Sequence, residues 1–237
     1  MSSYYESNKL NPPSPECPAV GEVSSYRPSR LFTALSAAVT SSHPGDPSSL
    51  LEGLLSLDAY LTRRLALCAS SNSSLHQKIL RYLCYALELS GHGVPWFSLC
   101  GLLAILYIPT GSHVLFSYLV HLLFLLVADI IVVAPIKLYF QRPRPSFNKG
   151  SIPLSISSVD QYAFPSGHTS RCVALAALFC YMSPFIRLWS GLTILWAVSV
   201  SFSRIVIGRH HIFDVIAGAM AGVVVFELTK FSIQMVF

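Results

Sequence analysis

The chain has 237 residues, of which 53% are hydrophobic and 11% charged, with a mean hydropathy of +0.56 and a formal net charge of +5. Soluble domains carry about 25% charged residues, so this composition excludes an ordinary soluble protein and indicates membrane segments. The basic residues are not gathered in one patch with interleaved aromatic residues, which argues against a nucleic-acid partner and for membrane lipids.

The N-terminal part of the sequence divides into two segments. Residues 1–48 combine seven prolines with many serines, so they cannot bury enough apolar surface to form a core, and we expect a disordered tail. This start shows no apolar signal-peptide core. Residues 49–70 predict an amphipathic helix that lies on the membrane surface, because leucines recur at helical spacing. These leucines are Leu50, Leu54, Leu57, Leu61 and Leu65.

The rest of the chain, residues 76–237, predicts an all-α domain that crosses the membrane six times. A span needs about 20 predominantly apolar residues, and several of the apolar segments are short for this length. The predicted spans are 76–90, 94–110, 114–140, 167–184, 186–206 and 211–236. The proline- and serine-rich stretch 141–166 separates the third from the fourth and predicts the main extramembrane loop.

Three polar clusters lie at span ends that alternating spans would bring to one membrane surface. Lys137 lies at the end of the third span and is followed by Arg142 and Arg144, and the Pro-Ser-Gly-His stretch 165–168 opens the fourth. The stretch 203–214, which contains two arginines, two histidines and an aspartate, joins the fifth to the sixth. Counting helices therefore predicts one site built from three clusters.

The chemistry of this site suits a multiply charged anion such as phosphate. Arginine offers a planar fork of donors and lysine a point charge, and backbone N–H groups at a helix start add to both. Histidine transfers protons near neutral pH or attacks phosphorus. Asp214 follows His210 by four residues, so on a helix the two share a face. No acidic cluster of the kind that holds Mg²⁺ is present in the sequence, so we expect no metal and no cofactor.

Each polar group also has a plainer interpretation. A single histidine or arginine at a helix end is commonly interfacial, with its head group in the lipid headgroup region. Asp129, inside the third span, is either functional or the structural partner of an arginine or hydroxyl. The second Ser-Gly-His triplet, 90–92, predicts either a tight turn or part of the site entrance. The six cysteines lack metal-type spacing, and we expect buried or lipid-facing thiols.

The three clusters resemble the signature of the type 2 phosphatidic acid phosphatases, K-x6-R-P, P-S-G-H and S-R-x5-H-x3-D. The matching residues are Lys137 with Arg144-Pro145, Pro165 to His168, and Ser203-Arg204 with His210 and Asp214. The stretches LELSGHGVPW and FPSGHTSR further resemble the polyisoprenoid diphosphate (presqualene diphosphate) phosphatase branch.

This resemblance implies a role for each matching residue. It makes His210 the nucleophile that forms a phosphohistidine, Asp214 its orienting carboxylate, and His168 the general acid and later base. Phosphate oxygens would be held by Lys137, Arg144, Ser166, Gly167 and Arg204. By spacing, His211 is a bystander or an indirect contributor, and Arg142 adds general positive potential.

The resemblance implies a metal-independent integral-membrane lipid phosphatase that hydrolyses isoprenoid diphosphates of the presqualene or farnesyl type. One alternative is a broad-specificity lipid phosphate phosphatase acting on phosphatidate or sphingosine phosphate. An alternative of another class is a catalytically silent membrane scaffold or transporter that keeps the fold. The motifs do not predict an oligomeric state.

The expected membrane orientation follows from six spans, which put the N-terminus opposite the site. Basic residues before the first span favour a cytosolic N-terminus and therefore a lumenal site. Asn72 opens a formal glycosylation acceptor that we expect to be unused. The subfamily resemblance implies the endoplasmic reticulum and nuclear envelope.

Overall fold

The computed structural model describes residues 47–69, 75–146, 161–182 and 187–234, and every regular element of six or more residues in these ranges is an α-helix. Residues 1–46 of the predicted disordered tail, Asn72 and most of the long loop lie outside the described residues, while residues 47 and 48 belong to the first helix. The helices are α1 (Pro47–Leu65), α2 (Leu75–Ser90), α3 (Gly93–Thr110), α4 (His113–Phe140), α5 (Gly167–Met182), α6 (Arg187–Val206) and α7 (Ile212–Gln234).

Four of these helices are long and apolar enough to cross a membrane, and they make the chain an integral membrane protein. The four stretches are Gly93–Thr110, His113–Phe140, Leu188–Val206 and Ile212–Phe231. Helices α2 and α5 have 16 residues each, about 24 Å of helix against a hydrocarbon core of about 30 Å. A helix of that length is too short to cross the hydrocarbon core alone, so its ends must be covered by neighbouring helices.

The core of the bundle forms where α5 packs against α4 and α7. Leu125, Leu175 and Val225 come from these three helices and are fully buried. Helix α7 approaches α5 closely through two glycines four residues apart, since a Cβ at Gly218 or Gly222 would overlap backbone oxygens of α5. Such small residues let two helix backbones meet without a hydrophobic driving force in lipid.

Six spans are not confirmed by the described helices, and α2 and α3 run in the same direction rather than in alternation. Along α2, Cys84 packs beside Val206 at the end of α6, whereas Ser90 Oγ accepts a hydrogen bond of 2.9 Å from Trp196 Nε1. Helix α2 is therefore antiparallel to α6. Helix α3 is antiparallel to α4, since Tyr107 near its end stacks on Phe116 near the start of α4. Helices α4 and α6 both run toward the end of the bundle that holds the predicted site, so α2 and α3 both run away from that end.

Helix α1 lies at the same end of the bundle as the predicted catalytic residues, not at the opposite end. Its Thr62 Oγ1 accepts a hydrogen bond of 3.2 Å from the N–H of Ile212, and the N–H of Cys68 donates to the carbonyl of Val206 at 3.1 Å. The direction of α2 agrees with this position, because α2 begins beside the end of α6. The polar face of α1 contacts the bundle, while its five predicted leucines are exposed. The membrane-surface position of α1 stays a prediction.

This arrangement predicts which surface residues face the same compartment. Ser56 on α1, Ser146 after α4 and Thr110 at the end of α3 are all exposed. In sealed vesicles of one orientation, single cysteines at positions 56 and 146 should both be labelled by a membrane-impermeant maleimide, whereas a cysteine at 110 should be labelled only after permeabilisation. In vesicles of the opposite orientation, the labelling should be reversed. Labelling of 56 together with 110, and not with 146, would contradict the arrangement.

Candidate active site

A cavity of about 440 Å³ opens where α3, α4 and α5 meet the loop before α7. Five of the eight predicted site residues line it: Lys137, Arg144, Gly167, His168 and His210. The other three, Ser166, Arg204 and Asp214, lie behind this wall and are almost completely buried. The three clusters that the sequence analysis joined by helix counting therefore meet at one cavity.

The tautomer of His210 is set by a backbone carbonyl. His210 Nδ1 lies 2.7 Å from the carbonyl oxygen of Ala163, and because a carbonyl only accepts, Nδ1 carries the proton and donates. The nearer oxygen of Asp214 is 3.9 Å from the same nitrogen. The unprotonated Nε2 is thereby left with a lone pair, which is the form that attacks phosphorus.

The surroundings of His210 keep its ring neutral. Burial, and after it the charges of Arg144, Arg204 and Lys137, hold the pKa of His210 well below its usual value. Both causes disfavour the imidazolium form, since burial removes its hydration and the nearby cations repel it. Without an anion in the cavity the His210 ring is therefore neutral, and a bound phosphate would offset the repulsion from the cations.

Asp214 holds the loops around His210 together rather than His210 itself. Its Oδ2 accepts a hydrogen bond of 2.7 Å from the N–H of His211, as an acidic residue in the first helical turn commonly does. Its own carbonyl accepts from the N–H of Ser166 at 2.9 Å. One residue at the start of α7 thus fixes both the loop that carries His210 and the loop that begins α5.

Arg142 does more than add positive potential. Its Nη1 lies 2.6 Å from Asp214 Oδ1 and its Nη2 lies 2.7 Å from Asp58 Oδ2 on α1. The backbone carbonyl of Arg142 also accepts from the N–H of Ala163 at 2.8 Å, which brings the Ala163 carbonyl to His210. Spacing correctly separates Arg142 from Arg144, which lines the cavity, but it does not show this bridging position.

Arg204 supports the His210 loop through both its backbone and its side chain. Its carbonyl accepts from the N–H groups of Arg209 and His210 at 2.9 and 3.3 Å. Its Nη1 lies 3.0 Å from Glu88 Oε2, which is also 3.8 Å from Arg209 Nη2. Among the described residues, the buried Nε of Arg204 has no hydrogen-bond partner. The Nε–H of Arg204 is therefore able to donate a hydrogen bond to an anion in the adjacent site.

His168 and His92 face each other across the cavity, with ring centroids 5.7 Å apart. His168 Nε2 is buried and finds no hydrogen-bond partner within the described ranges. His92 caps the start of α3 by accepting a hydrogen bond of 3.2 Å from the N–H of Val94. The turn and entrance interpretations of this triplet are thus both correct. Gly91 is required there, since a Cβ would come within 2.9 Å of Cys172 Sγ.

The start of α5 presents the backbone that the resemblance assigns to phosphate binding. Ser166 Oγ accepts a hydrogen bond of 3.0 Å from Thr169 Oγ1, and a Cβ at Gly167 would point toward Val133 and the Lys137 side chain. Lys137 Nζ donates to the carbonyl of Tyr162 at 3.2 Å, which holds the amine at the cavity wall. A lysine held in this way beside a helix N-terminus favours an anion.

Asp129 is the structural partner of both an arginine and a hydroxyl, as one of the two interpretations expected. Its Oδ2 lies 2.9 Å from Arg171 Nη2, and its Oδ1 accepts a hydrogen bond of 2.7 Å from Ser170 Oγ. Arg171 Nη1 also donates to the carbonyl of Gly91 at 3.2 Å. Because Asp129 and Arg171 both line the cavity, the paired charges also shape its deeper wall.

Several residues at the site were missed or only partly read from the sequence. Ala163 carries no sequence signal, because a backbone carbonyl is common to all residues. Asp58 and Glu88 are carboxylates in largely apolar helices, and that contrast is the signal that could have drawn attention to them.

No group of three potential metal-binding side chains occurs within the described ranges. Four of the five described cysteines are buried, as expected.

Comparison with known proteins supports the resemblance. The PAP2 superfamily model matches residues 118–235. The chain is 35% identical over 133 residues to "Probable lipid phosphate phosphatase beta" of Arabidopsis thaliana. That match covers 46% of this chain and 62% of the relative, so the chain spans less than two thirds of the relative's length.

Two solved structures share the fold. The first is a transmembrane PAP2 type phosphatidylglycerolphosphate phosphatase from Bacillus subtilis, with a TM-score of 0.58 at 20% identity, covering 87% of this chain and 96% of that one. The second is LpxE from Aquifex aeolicus, with a TM-score of 0.54 at 20% identity, covering 73% of this chain and 94% of that one. Together with the three motifs around one cavity, these matches make residues 118–235 similar to the PAP2 superfamily.

Proposed function

We propose that the protein is a membrane lipid phosphatase that works through a phosphohistidine at His210. The observation that carries this proposal is the single cavity whose wall holds two histidines together with Lys137 and Arg144. A scaffold or transporter would not need a tautomer fixed by Ala163 or an unpartnered imidazole nitrogen on His168. The matching family and the phosphatase named among its relatives agree with this assignment.

The first half-reaction uses one histidine to attack and the other to protonate. His210 Nε2 forms a bond to phosphorus while the bond from phosphorus to the leaving oxygen breaks. His168, protonated while the anionic substrate is bound beside it, gives that oxygen its proton. Because Nδ1 keeps its proton on Ala163, the phosphorylated ring is cationic, and Asp214 at 3.9 Å stabilises it. Lys137, Arg144 and Arg204 hold the charge that develops on the phosphate oxygens.

The second half-reaction returns the site to its starting state. Neutral His168 takes a proton from water as the oxygen attacks phosphorus, and the nitrogen–phosphorus bond breaks. Inorganic phosphate leaves, His210 is neutral again with its proton on Nδ1, and His168 is again protonated. The cationic side chains do the electrostatic work in this scheme, so the proposal is metal-independent.

The apolar part of the cavity suits a lipid whose tail stays in the bilayer. Beyond the phosphate-binding residues, the wall continues over α3 and α4 as Val94, Phe97, Ile130 and Val133. Three of these side chains are partly exposed on the outer surface of the bundle, so the cavity opens sideways between the helices. A tail can therefore remain among other lipids while its head group reaches His210.

The first candidate substrates are isoprenoid diphosphates of the presqualene or farnesyl type. On the side of His168, where the leaving group departs, the wall carries His92 and Arg171. These donors suit the second phosphate of a diphosphate, which bears charge where a monoester has only carbon. The second candidate is a broad lipid phosphate phosphatase acting on phosphatidate or sphingosine phosphate, which the name of the Arabidopsis relative favours.

We also propose that the protein resides in the endoplasmic reticulum or nuclear envelope and that its catalytic end faces the cytosol. The expected lumenal position of the site assumed that the N-terminal segment lies on the opposite side of the membrane. The contacts of α1 with the start of α7 argue against that assumption. Apart from the lysine and arginines of the site described above, four basic residues lie at the catalytic end: Arg63, Arg64, Lys78 and Arg81. Two lie toward the other end, Arg187 and Lys230, and basic residues favour the cytosolic side.

Removal of the nucleophile should abolish turnover. Purified His210→Ala should release phosphate from farnesyl diphosphate about a thousandfold more slowly than the wild type, in detergent with EDTA present, because no other group replaces Nε2. The matched control is His113→Ala, which removes an exposed imidazole at the start of α4, at the other end of the bundle, and should retain most activity. Equal activity of wild type and His210→Ala would refute the mechanism.

The tautomer and charge of His210 can be observed directly. Because burial and Arg144 lower its pKa, the His210 ring should stay neutral as the pH falls below about 6.5, the usual value for histidine. The measurement is ¹⁵N NMR of histidine-labelled protein without substrate, with the signal assigned by His210→Ala. A neutral His210 ring keeps the Nε2 lone pair available for attack on phosphorus below this pH. Titration of His210 at or above 6.5 would contradict the expected environment.

The preference for a diphosphate should depend on His92. His92→Asn keeps an acceptor for the Val94 N–H and removes the ring that faces His168. We expect kcat/KM to fall about tenfold for farnesyl diphosphate, as for the loss of a hydrogen bond to a charged group, and much less for farnesyl phosphate. An equal loss for both substrates would show that His92 does not recognise the second phosphate.

A further inference from the structure

The helix α1 lies outside the part of the chain that matches the PAP2 superfamily, yet it contacts the catalytic loops directly. Its buried polar residues are Asp58 and Thr62, which are 1% and 0% exposed and one helical turn apart. A carboxylate turned inward from a surface helix is unfavourable unless it is paired. Both side chains point at the first turn of α7, two residues after His210.

The α1 side chains satisfy N–H groups that α7 cannot satisfy itself. The first N–H groups of a helix have no partner within the helix. Asp58 Oδ1 accepts from the N–H of Phe213 at 3.2 Å, and Thr62 Oγ1 accepts from the N–H of Ile212 at 3.2 Å. With Asp214 holding the His211 N–H, the start of α7 is fixed at three consecutive positions, two of them from α1.

Asp58 also divides the guanidinium of Arg142 between two carboxylates. One nitrogen of Arg142 pairs with Asp58 at 2.7 Å and the other with Asp214 at 2.6 Å. Without Asp58, Arg142 would be free to place both nitrogens on Asp214, since arginine and carboxylate favour such a two-bond pairing. That movement would draw Asp214 away from the His211 N–H and shift the adjacent His210.

We propose that Asp58 is a positioning residue for catalysis, which acts through Arg142 and Asp214 to hold His210 in its attacking position, and that α1 is an integral part of the active site. This inference rests on the proposed phosphatase function. It also gives a physical reason for α1 to lie at the catalytic end. A displacement of about 1 Å at a reacting group lowers the rate by about a hundredfold, so small movements of this loop matter.

The test is a double-mutant cycle on the full-length protein. Asp58→Asn removes the charge but keeps an oxygen for the Phe213 N–H, and Arg142→Gln removes the guanidinium. We expect Asp58→Asn to lower kcat for farnesyl diphosphate about tenfold with little change in KM, because positioning affects the chemical step. In the Arg142→Gln background, Asp58→Asn should have no further effect, since the two residues act through one path.

Two controls separate positioning from loss of folding. Glu52→Gln removes a carboxylate from the same helix outside the contact with α7 and should leave kcat unchanged. Thermal unfolding in detergent should be similar for Asp58→Asn and Glu52→Gln. Additive losses in the cycle, a change confined to KM, or full activity of Asp58→Asn would overturn the inference. Wild-type protein without phosphatase activity would instead overturn the proposed function, which keeps the two failures distinct.

Discussion

The buried carboxylate of Asp214 is the contact on which the arrangement of the catalytic loops depends. Its side chain accepts from the His211 N–H and pairs with Arg142, and its carbonyl accepts from the Ser166 N–H. Loops from α4, α5 and α7 are therefore tied to one residue that is 0% exposed. Removing this carboxylate would free the His211 N–H and leave Arg142 with Asp58 alone, while the backbone contact to Ser166 would remain. Its role is therefore wider than orienting a single imidazole.

The same end of the bundle concentrates positive charge, and acidic residues compensate most of it. Asp58, Glu88 and Asp129 each pair with an arginine beside the cavity, at 2.7, 3.0 and 2.9 Å. In a buried environment unpaired cations would be expensive and would repel one another. After this pairing, the positive charge of Lys137 and Arg144 faces the cavity, where a phosphate would lie. The ion pairs also hold the cavity walls in place when no anion is bound.

The sequence predicted the site better than it predicted the path of the chain. Motif spacing brought Lys137, Arg144, His168 and His210 to one cavity, because each residue lies at a helix end that the long apolar segments fix. The predicted alternation of spans is not confirmed, because α2 has only 16 residues and runs in the same direction as α3. The Asp58–Arg142 pair joins residues 84 apart, and no local pattern encodes such a contact.

The most direct test of this account is to trap the covalent intermediate. Brief reaction with farnesyl diphosphate labelled with ³²P in its terminal phosphate, followed by alkaline quenching, should leave an acid-labile label on the peptide that contains His210. The wild type should carry this label, and His210→Ala should carry none. Label on another residue, or the same label in His210→Ala, would contradict the central claim that His210 Nε2 attacks phosphorus.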